Sequence, residues 1–437
     1  MRMKTFRQGL HLVEKKELSE DKKIKKISSP PRVILPLSQH TGAPGIPLVK
    51  VGDLVEEGQK IADADSFISS PIHASISGKV SSIEKLPHPV GGEGEAIIIE
   101  GNGNGRKVWE KGEVSSRSLE AKEIRKIIRE AGIVGLGGAA FPTHVKLSPP
   151  ENKPIDTIIL NGCECEPYLT GDHRLMLERA DDCLYGLRLI IKVTGATRGY
   201  VGIESNKGDA IALMREKLKA KGNIQVVPLK TKYPQGGEKM LIKAILNREV
   251  PSGGLPLDVG VVVSNVGTAL AIAEAIKWGK PLLERVVTIT GSGVSQPANL
   301  WVPLGTPFSC VVEECGGLKE NASKVIMGGP MMGLSQYTLD VPVIKGTSGI
   351  LVLTESEAVA REEEPCIKCA RCIDHCPMGL VPTILARLVK AERWDSLKDY
   401  GVMDCIECGC CAYVCPSKIP LVHLMKLGKF QVSQRQA

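Results

Sequence analysis

Eight cysteines near the C-terminus constrain this chain more than any other stretch. Cys366-Ile-Lys-Cys369-Ala-Arg-Cys372-Ile-Asp-His-Cys376-Pro377 is followed by Cys405-Ile-Glu-Cys408-Gly-Cys-Cys411-Ala-Tyr-Val-Cys415-Pro416. Both runs read C-x2-C-x2-C-x3-C-P. Such short spacing lets three thiolates converge on one face of an iron–sulfur cubane, whereas structural zinc draws on paired C-x2-C elements with longer gaps. Two complete copies, each closed by a proline, argue against a zinc site or a disulfide framework. The runs specify two [4Fe–4S] clusters, and a chain that carries them moves single electrons.

The same run occurs in two-cluster ferredoxins, where the fourth cysteine of each run crosses to the other cluster. That resemblance implies one cluster on Cys366, Cys369, Cys372 and Cys415, and a second on Cys405, Cys408, Cys411 and Cys376. Thiolate ligation calls for a reducing compartment. The six remaining cysteines of the 14 therefore carry no argument for secretion. A length of 437 residues corresponds to about three domains. No apolar run approaches the roughly 20 residues of a spanning helix, and no signal peptide is expected at the N-terminus. The formal charge of +7 is mild; it suits a membrane-surface or acidic-partner contact as readily as a solvated surface, and no nucleic-acid partner is expected.

Along the chain, residues 1–30 carry Lys15-Lys16, Lys22-Lys23 and Lys25-Lys26, and read as an exposed arm or linker. Residues 31–110 alternate short apolar strands with glycine turns, which suggests a small barrel or sandwich. Asn102-Gly-Asn-Gly105 marks a turn at its end. Residues 111–282 alternate helices and strands. After an N-cap at Ser118 the pattern predicts a helix over Leu119–Ala131. Strands follow at Asp156–Asn161, Gly199–Glu204, Ile224–Leu229 and Asp258–Ser264. Helices are predicted at Arg174–Val193, Asn206–Lys219, Glu238–Leu246 and Gly267–Trp278. This is the texture of a parallel sheet covered on both faces, with ligands at the carboxyl ends of its strands. Residues 283–354 return to β, with strands expected at Arg285–Gly291, Ser309–Val312 and Lys324–Pro330. Residues 355–437 hold the cysteine runs, and the helix-prone spacer Val381–Ala391 favours a helical module.

Gly135-Leu-Gly137-Gly138-Ala-Ala-Phe141-Pro-Thr-His-Val-Lys146 is the second informative stretch. Glycines let backbone N–H groups approach a phosphate, and Lys146 adds a point charge. The loop lacks the Gly-Lys-Ser/Thr of a Walker loop and the spacing of a dinucleotide fingerprint. Taken alone it fits a phosphate site or a plain tight turn.

The same stretch, GLGGAAFPTHVK, resembles the flavin loop of the NADH-binding flavoprotein subunit of respiratory complex I. Asn161-Gly-Cys163-Glu164-Cys165-Glu166-Pro167, Tyr233-Pro-Gln-Gly236-Gly237-Glu238 and Ser264-Asn265-Val-Gly-Thr268 resemble three further segments of that protein, in the same order. NGCECEPYLTGDHRLM, YPQGGEKMLIKAIL, REVPSGGLP and the double cysteine run together resemble the C-type subunit of Rnf electron-transport complexes. That resemblance covers nearly the whole chain. It implies an α/β multidomain fold with four parts: a lipoyl-like β N-terminal domain, a Rossmann-like flavin domain, a β-grasp ligand-binding domain and a helical dicluster ferredoxin domain. VKVGDLVEEGQ and SPIHASISGKV carry the lipoyl-like resemblance. A tip lysine is lacking and His73 reads as a loop residue, so the scaffold is expected without its prosthetic group.

Carried over, the resemblance implies FMN held by Gly135, Gly137, Gly138 and Lys146, with Asn161, Cys163, Glu164, Tyr233, Gly236, Gly237, Asn265 and Thr268 lining the rest. Phe141 would stack on a ring of NAD(H), and Glu166 and Glu238 would face NAD(H) as the catalytic pair. Cys163 stands where complex I has aspartate, and Gly237 where it has glutamate; both changes remove negative charge near the flavin, which would raise its potential. Cys183 and Cys310 read as small apolar residues, on a helix and a strand, whereas Cys315 and Cys410 take no role. The expectation is a peripheral electron-transfer subunit of a membrane-bound, ion-translocating ferredoxin:NAD oxidoreductase, on the cytoplasmic face. Its partners would be the other subunits, NAD(H) and, indirectly, ferredoxin. Two alternatives stand: a cobalamin reductase of catabolic microcompartments, and a non-enzymatic electron relay.

Overall fold

Val261-Val-Val-Ser-Asn265 is buried at every position, and Thr157-Ile-Ile-Leu-Asn161 at all but the last. Strands without an exposed face need cover on both sides, and a parallel sheet provides it. In a computed structural model, which describes residues 3–103, 106–109, 119–218, 222–359 and 361–435, this sheet has four parallel strands. They are β1 (Thr157–Asn161), β2 (Arg198–Glu204), β3 (Ile224–Leu229) and β4 (Val261–Asn265), in the order β3-β2-β1-β4. The helices are α1 (Ala121–Glu130), α2 (Thr143–Lys146), α3 (Gly171–Glu178), α4 (Ala180–Thr194), α5 (Gly208–Leu218), α6 (Glu238–Leu246) and α7 (Val266–Trp278).

Alternate residues of β1 enter opposite cores. Ile158 and Leu160 join α4 and α7, while Ile159 joins Leu241, Ile242 and Ile245 of α6. Each such side chain contributes roughly 1.5–3 kcal/mol on burial. α4 and α7 approach so closely that a Cβ on Gly186 would lie 1.9 Å from the Ala269 carbonyl oxygen. The long helix expected over Arg174–Val193 is broken at Arg179, whose guanidinium turns aside to Asp182 and Glu274. Ser118 lies outside the described residues; Glu120 caps α1 instead. Asn104 and Gly105 of the expected turn also lie outside them.

The N-terminal β region is two small sheets. Arg32–Pro36, Glu93–Gly101, Gly78–Pro87 and Leu54–Val55 form one; Ile46–Pro47, Lys60–Asp63 and Ile72–His73 form the other. His73 is buried in a strand, not a loop. The region before residue 30 is also not an exposed arm. Phe6, Leu10, Lys16 and Ser19 are buried, and Lys25–Lys26 forms the edge strand of a six-stranded sheet beside Ala298–Pro303. Its lysines suggest solvent, but their partners lie far away in sequence.

That sheet continues through Glu284–Thr290, Gly349–Thr354, Ala322–Met327 and Leu334–Gln336. The strand expected at Ser309–Val312 is a helix, Phe308–Glu313. Its buried residues are Phe308, Val311 and Val312, an i, i+3, i+4 pattern that fits a helix better than a strand. Cys310 is therefore helical and only partly buried. Beyond residue 361 the described residues form helices and turns with no strand, and Leu385, Val389, Leu397, Leu421 and Met425 build their core.

Candidate functional site: a glycine cradle joined to a thiol-lined cavity

β1 and β4 lie side by side with Asn161 opposite Asn265, while β2 and β3 follow on the other side of β1. Winding reverses between β1 and β4, so a crevice opens beyond their carboxyl ends. Both asparagines are tied down there. Asn161 Nδ2 donates to the Gly236 carbonyl at 2.9 Å, and its Oδ1 accepts from the Cys163 N–H at 3.1 Å. Asn265 caps α7 by accepting from the Gly267 N–H at 2.8 Å. Its Nδ2 donates to Asp172 Oδ2 at 2.6 Å.

The glycine loop forms the rim of the crevice. The Leu136 N–H donates to Thr268 Oγ1 at 2.8 Å, which anchors the loop to the first turn of α7. Gly137, Gly138 and Ala139 are exposed, and Gly138 has φ of 113°, a conformation that favours glycine. Phe141, half-buried, accepts from the Gly135 N–H. Lys146, on α2, meets Glu238, at the start of α6, at 2.6 Å. Gly237 is the N-cap residue of α6. Two helix N-termini, a bare glycine backbone, two floor amides and a rim cation thus surround one crevice, a donor set suited to a phosphorylated cofactor with a polar tail.

Four of the expected site residues have their side chains engaged in other contacts. The Cys163 thiol is fully buried among Ile159, Leu229 and Leu241, because its side chain falls on the α6 side of the sheet. Burial pushes it well above the usual thiol range. The Glu164 carboxylate is engaged by the N–H groups of Asp172 and His173 at the start of α3. Glu166 turns toward the loop after residue 330, accepting from the N–H groups of Met331 and Met332. Burial pushes its carboxyl up to about 7 against those two bonds. Tyr233 is buried, and its hydroxyl donates to the Cys408 carbonyl at 2.7 Å.

Sequence reasoning missed what holds this loop. Lys16 Nζ donates to the carbonyls of Glu164, Glu166 and Leu169 at 2.9, 3.0 and 2.5 Å. Lys207 Nζ donates to the Cys163 carbonyl at 2.6 Å. Burial, then the Lys207 charge, lowers the Lys16 ammonium from its ordinary value.

Cys376 stands with the second cysteine run and not with its own sequence neighbours. Cys376, Cys405, Cys408 and Cys411 line one cavity, with Cys410 also on its wall. Burial pushes the Cys411 thiol up to about 12, with Cys408, Cys405 and Cys376 adding to the rise. Cys372 is raised by burial first, and then by Cys369 and Cys415. Among the described residues no three His, Cys, Asp or Glu side chains converge as for a single metal ion. Cysteines spread around a cavity suit a wider group, and sulfur is the donor that iron–sulfur cubanes take. These cavity cysteines are buried or half-buried, whereas Cys366 and Cys369 are exposed. Cys410 is also buried here, beside Leu10 and Tyr233.

Comparison with known proteins matches these parts in order. Residues 4–104 match the RnfC barrel sandwich hybrid domain, 128–274 the Nuo51 FMN-binding domain, 286–335 the SLBB domain and 358–416 the 4Fe-4S dicluster domain. The chain is 48% identical over 406 residues to the C component of the proton-translocating ferredoxin:NAD(+) oxidoreductase complex of Clostridium ljungdahlii, covering 92% of this chain and 88% of that one. The chain belongs to the C-component family of ion-translocating oxidoreductase complexes. Within that family it is 44% identical to the C component of the Na(+)-translocating complex of Acetobacterium woodii, covering 98% of this chain and 97% of that one. It is 41% identical to the C component of the ion-translocating complex of Rhodobacter capsulatus, over 99% and 84%. An NAD+-reducing [NiFe]-hydrogenase in the H2-reduced state shares the fold at 17% identity and TM-score 0.50, over 72% of this chain and 61% of that one. The protein is thus an oxidoreductase component with an FMN-binding domain and a dicluster domain. Among the described residues no helix is long and apolar enough to cross a membrane.

Proposed function

We propose that this protein carries electrons between NAD(H) and the iron–sulfur clusters of an ion-translocating ferredoxin:NAD(+) oxidoreductase. It would sit peripherally on the cytoplasmic face of the membrane, bound to the other subunits and linked through them to ferredoxin. The observation that carries this reading is the join between the two halves of the site. The loop that meets Asn161 at Gly236 also places Tyr233 against Cys408. FMN, when bound, exchanges electrons in pairs with a nicotinamide and singly with a cluster.

The chain's own residues supply the rest. Gly135, Gly137 and Gly138 leave room for the phosphate end, and Lys146 balances its charge. Asn161, Gly236, Asn265 and Thr268 fix the floor and rim. Phe141 and Glu238 stand at the mouth, where NAD(H) would lie. The set Cys376, Cys405, Cys408 and Cys411 would hold the cluster nearer the cradle. Cys366, Cys369, Cys372 and Cys415 would hold the cluster nearer a neighbouring subunit.

The test is an anaerobic titration of the reconstituted protein with NADH. The FMN absorbance should bleach and cluster reduction should follow; flavin that stays oxidised under NADH would leave only a relay. Glu238→Gln should weaken NADH binding about tenfold, equivalent to about 1.4 kcal/mol, with flavin content near normal. Its half-exposed pair with Lys146 is worth at most about 1 kcal/mol to the fold. Flavin loss in this variant would instead put Glu238 in contact with FMN.

A further inference from the structure

Asp172 stands at the floor of the cradle and no part of the proposed electron path uses it. It lies in the first turn of α3, with Oδ2 accepting from Asn265 Nδ2 at 2.6 Å. Asn265 in turn lies under the glycine loop: a Cβ on Gly137 would be 3.5 Å from the Asn265 Cβ and 3.9 Å from Nδ2. One floor amide therefore separates the carboxylate from the cofactor space. Oδ1 takes no hydrogen bond from any described residue, and the side chain keeps partial exposure.

The groups around Asp172 do not settle its charge. Burial pushes its carboxyl well above the usual carboxylate range. Glu164, from the loop after β1, pushes the same way, while the Asn265 amide, Arg285 of the strand Glu284–Thr290 and Lys207 before α5 oppose it. The buried Cys163 and Cys183 thiols also feel its charge. Next to it, His173 is already paired with Asp209 at 2.8 Å. Arg285 is spoken for as well, donating to the carbonyls of Lys345 and Leu136.

We propose that Asp172 binds a proton from solvent when the cofactor over Asn265 gains electrons, and releases it when they leave. This rests on the reading of the cradle as an FMN site. NADH, oxidised to NAD+, would pass two electrons and one proton together, as hydride, to the bound cofactor, which holds that proton until the electrons leave. One further proton from solvent forms an O–H bond at Asp172 Oδ1 and cancels the added negative charge. As the electrons pass singly to the clusters, which are reduced, the O–H bond breaks and both protons return to solvent. Asp172 is a positioning residue in this scheme, acting through Asn265 and through charge. It answers the absence of an acidic side chain at Gly237 with one whose charge can be switched off.

The experiment is a redox titration of the bound flavin in the holoprotein with dithionite and dye mediators, from pH 6 to pH 8. The wild-type midpoint should fall more steeply with pH than that of Asp172→Asn. The difference should approach one proton per two electrons, a tenfold change per pH unit, or about 30 mV for a two-electron couple. Asp172→Glu should restore the steeper slope. Equal slopes in wild type and Asp172→Asn would overturn the assignment while leaving the flavin site standing. Protein that retains no flavin would overturn both. If Asp172→Asn does not fold, reduction-minus-oxidation infrared spectra of wild type and Asp172→Glu decide. A carboxylic acid band that appears on reduction and shifts between the two supports the assignment; no band, or an unshifted one, overturns it.

Discussion

Cys376→Ser should remove the cluster on Cys405, Cys408 and Cys411 and spare the one on its own sequence neighbours, Cys366, Cys369 and Cys372. The reason is spatial: Cys376 opens into the cavity of the second run, while Cys372 packs with Cys415 in the core of the module. A serine hydroxyl ionises far less readily than a thiol and so makes a poor substitute for the thiolate that iron takes. Iron and sulfide content should fall by half, and the EPR signal of one reduced cluster should vanish. Because the lost cluster would be the one beside Tyr233, whose hydroxyl meets the Cys408 carbonyl, NADH should still bleach the flavin, while electron delivery to an external acceptor drops to a small residue. Loss of the Cys366–Cys372 cluster instead, with the other intact, would refute the crossed ligand sets.

That prediction was reachable from the resemblance of the cysteine runs to two-cluster ferredoxins, and the reason separates what the sequence discloses from what it hides. The cysteine runs, Asn161, Asn265, Thr268 and the glycines act through short-range geometry: a residue type at a fixed offset from a strand end or a helix start. The order β3-β2-β1-β4 then brings those offsets together. Lys16 sits in a run of lysines that gives no local sign of burial, because its three carbonyl acceptors lie about 150 residues away. Asp172 follows a glycine at the start of a helix, an ordinary place for an aspartate; only the contact with Asn265 distinguishes it. Cys163 misleads in the opposite way. Its place in a motif suggests lining, but one residue's difference along a chain leaving a strand turns the thiol into the core. The helix at Phe308–Glu313 was hidden by β-branched valines, although its apolar spacing was already helical.

Lys345→Met should lower stability by about 2–4 kcal/mol, the cost of leaving buried acceptors without a donor. Lys345 Nζ is fully enclosed where three parts of the chain meet. It donates to Ser70 Oγ at 3.1 Å and the Pro71 carbonyl at 2.6 Å in the β region, and to the Gly132 carbonyl at 2.7 Å just after α1. Methionine fills a similar volume but makes none of these bonds, so the loss falls on the hydrogen bonds and not on packing. Burial pulls the ammonium down to about 7, opposed by Asp63. Its folded value therefore lies below its unfolded value of 10.5. Between the two, the unfolded chain holds a proton that the folded chain lacks, so stability from this site rises with pH and is lost as pH falls through about 7. The gap between wild type and Lys345→Met in denaturant midpoint should accordingly be wider at pH 9 than at pH 6. Gly132 leads into the glycine loop, so the variant should also release FMN more readily. Unchanged midpoints with unchanged flavin retention would mean that the three parts are held together without this lysine.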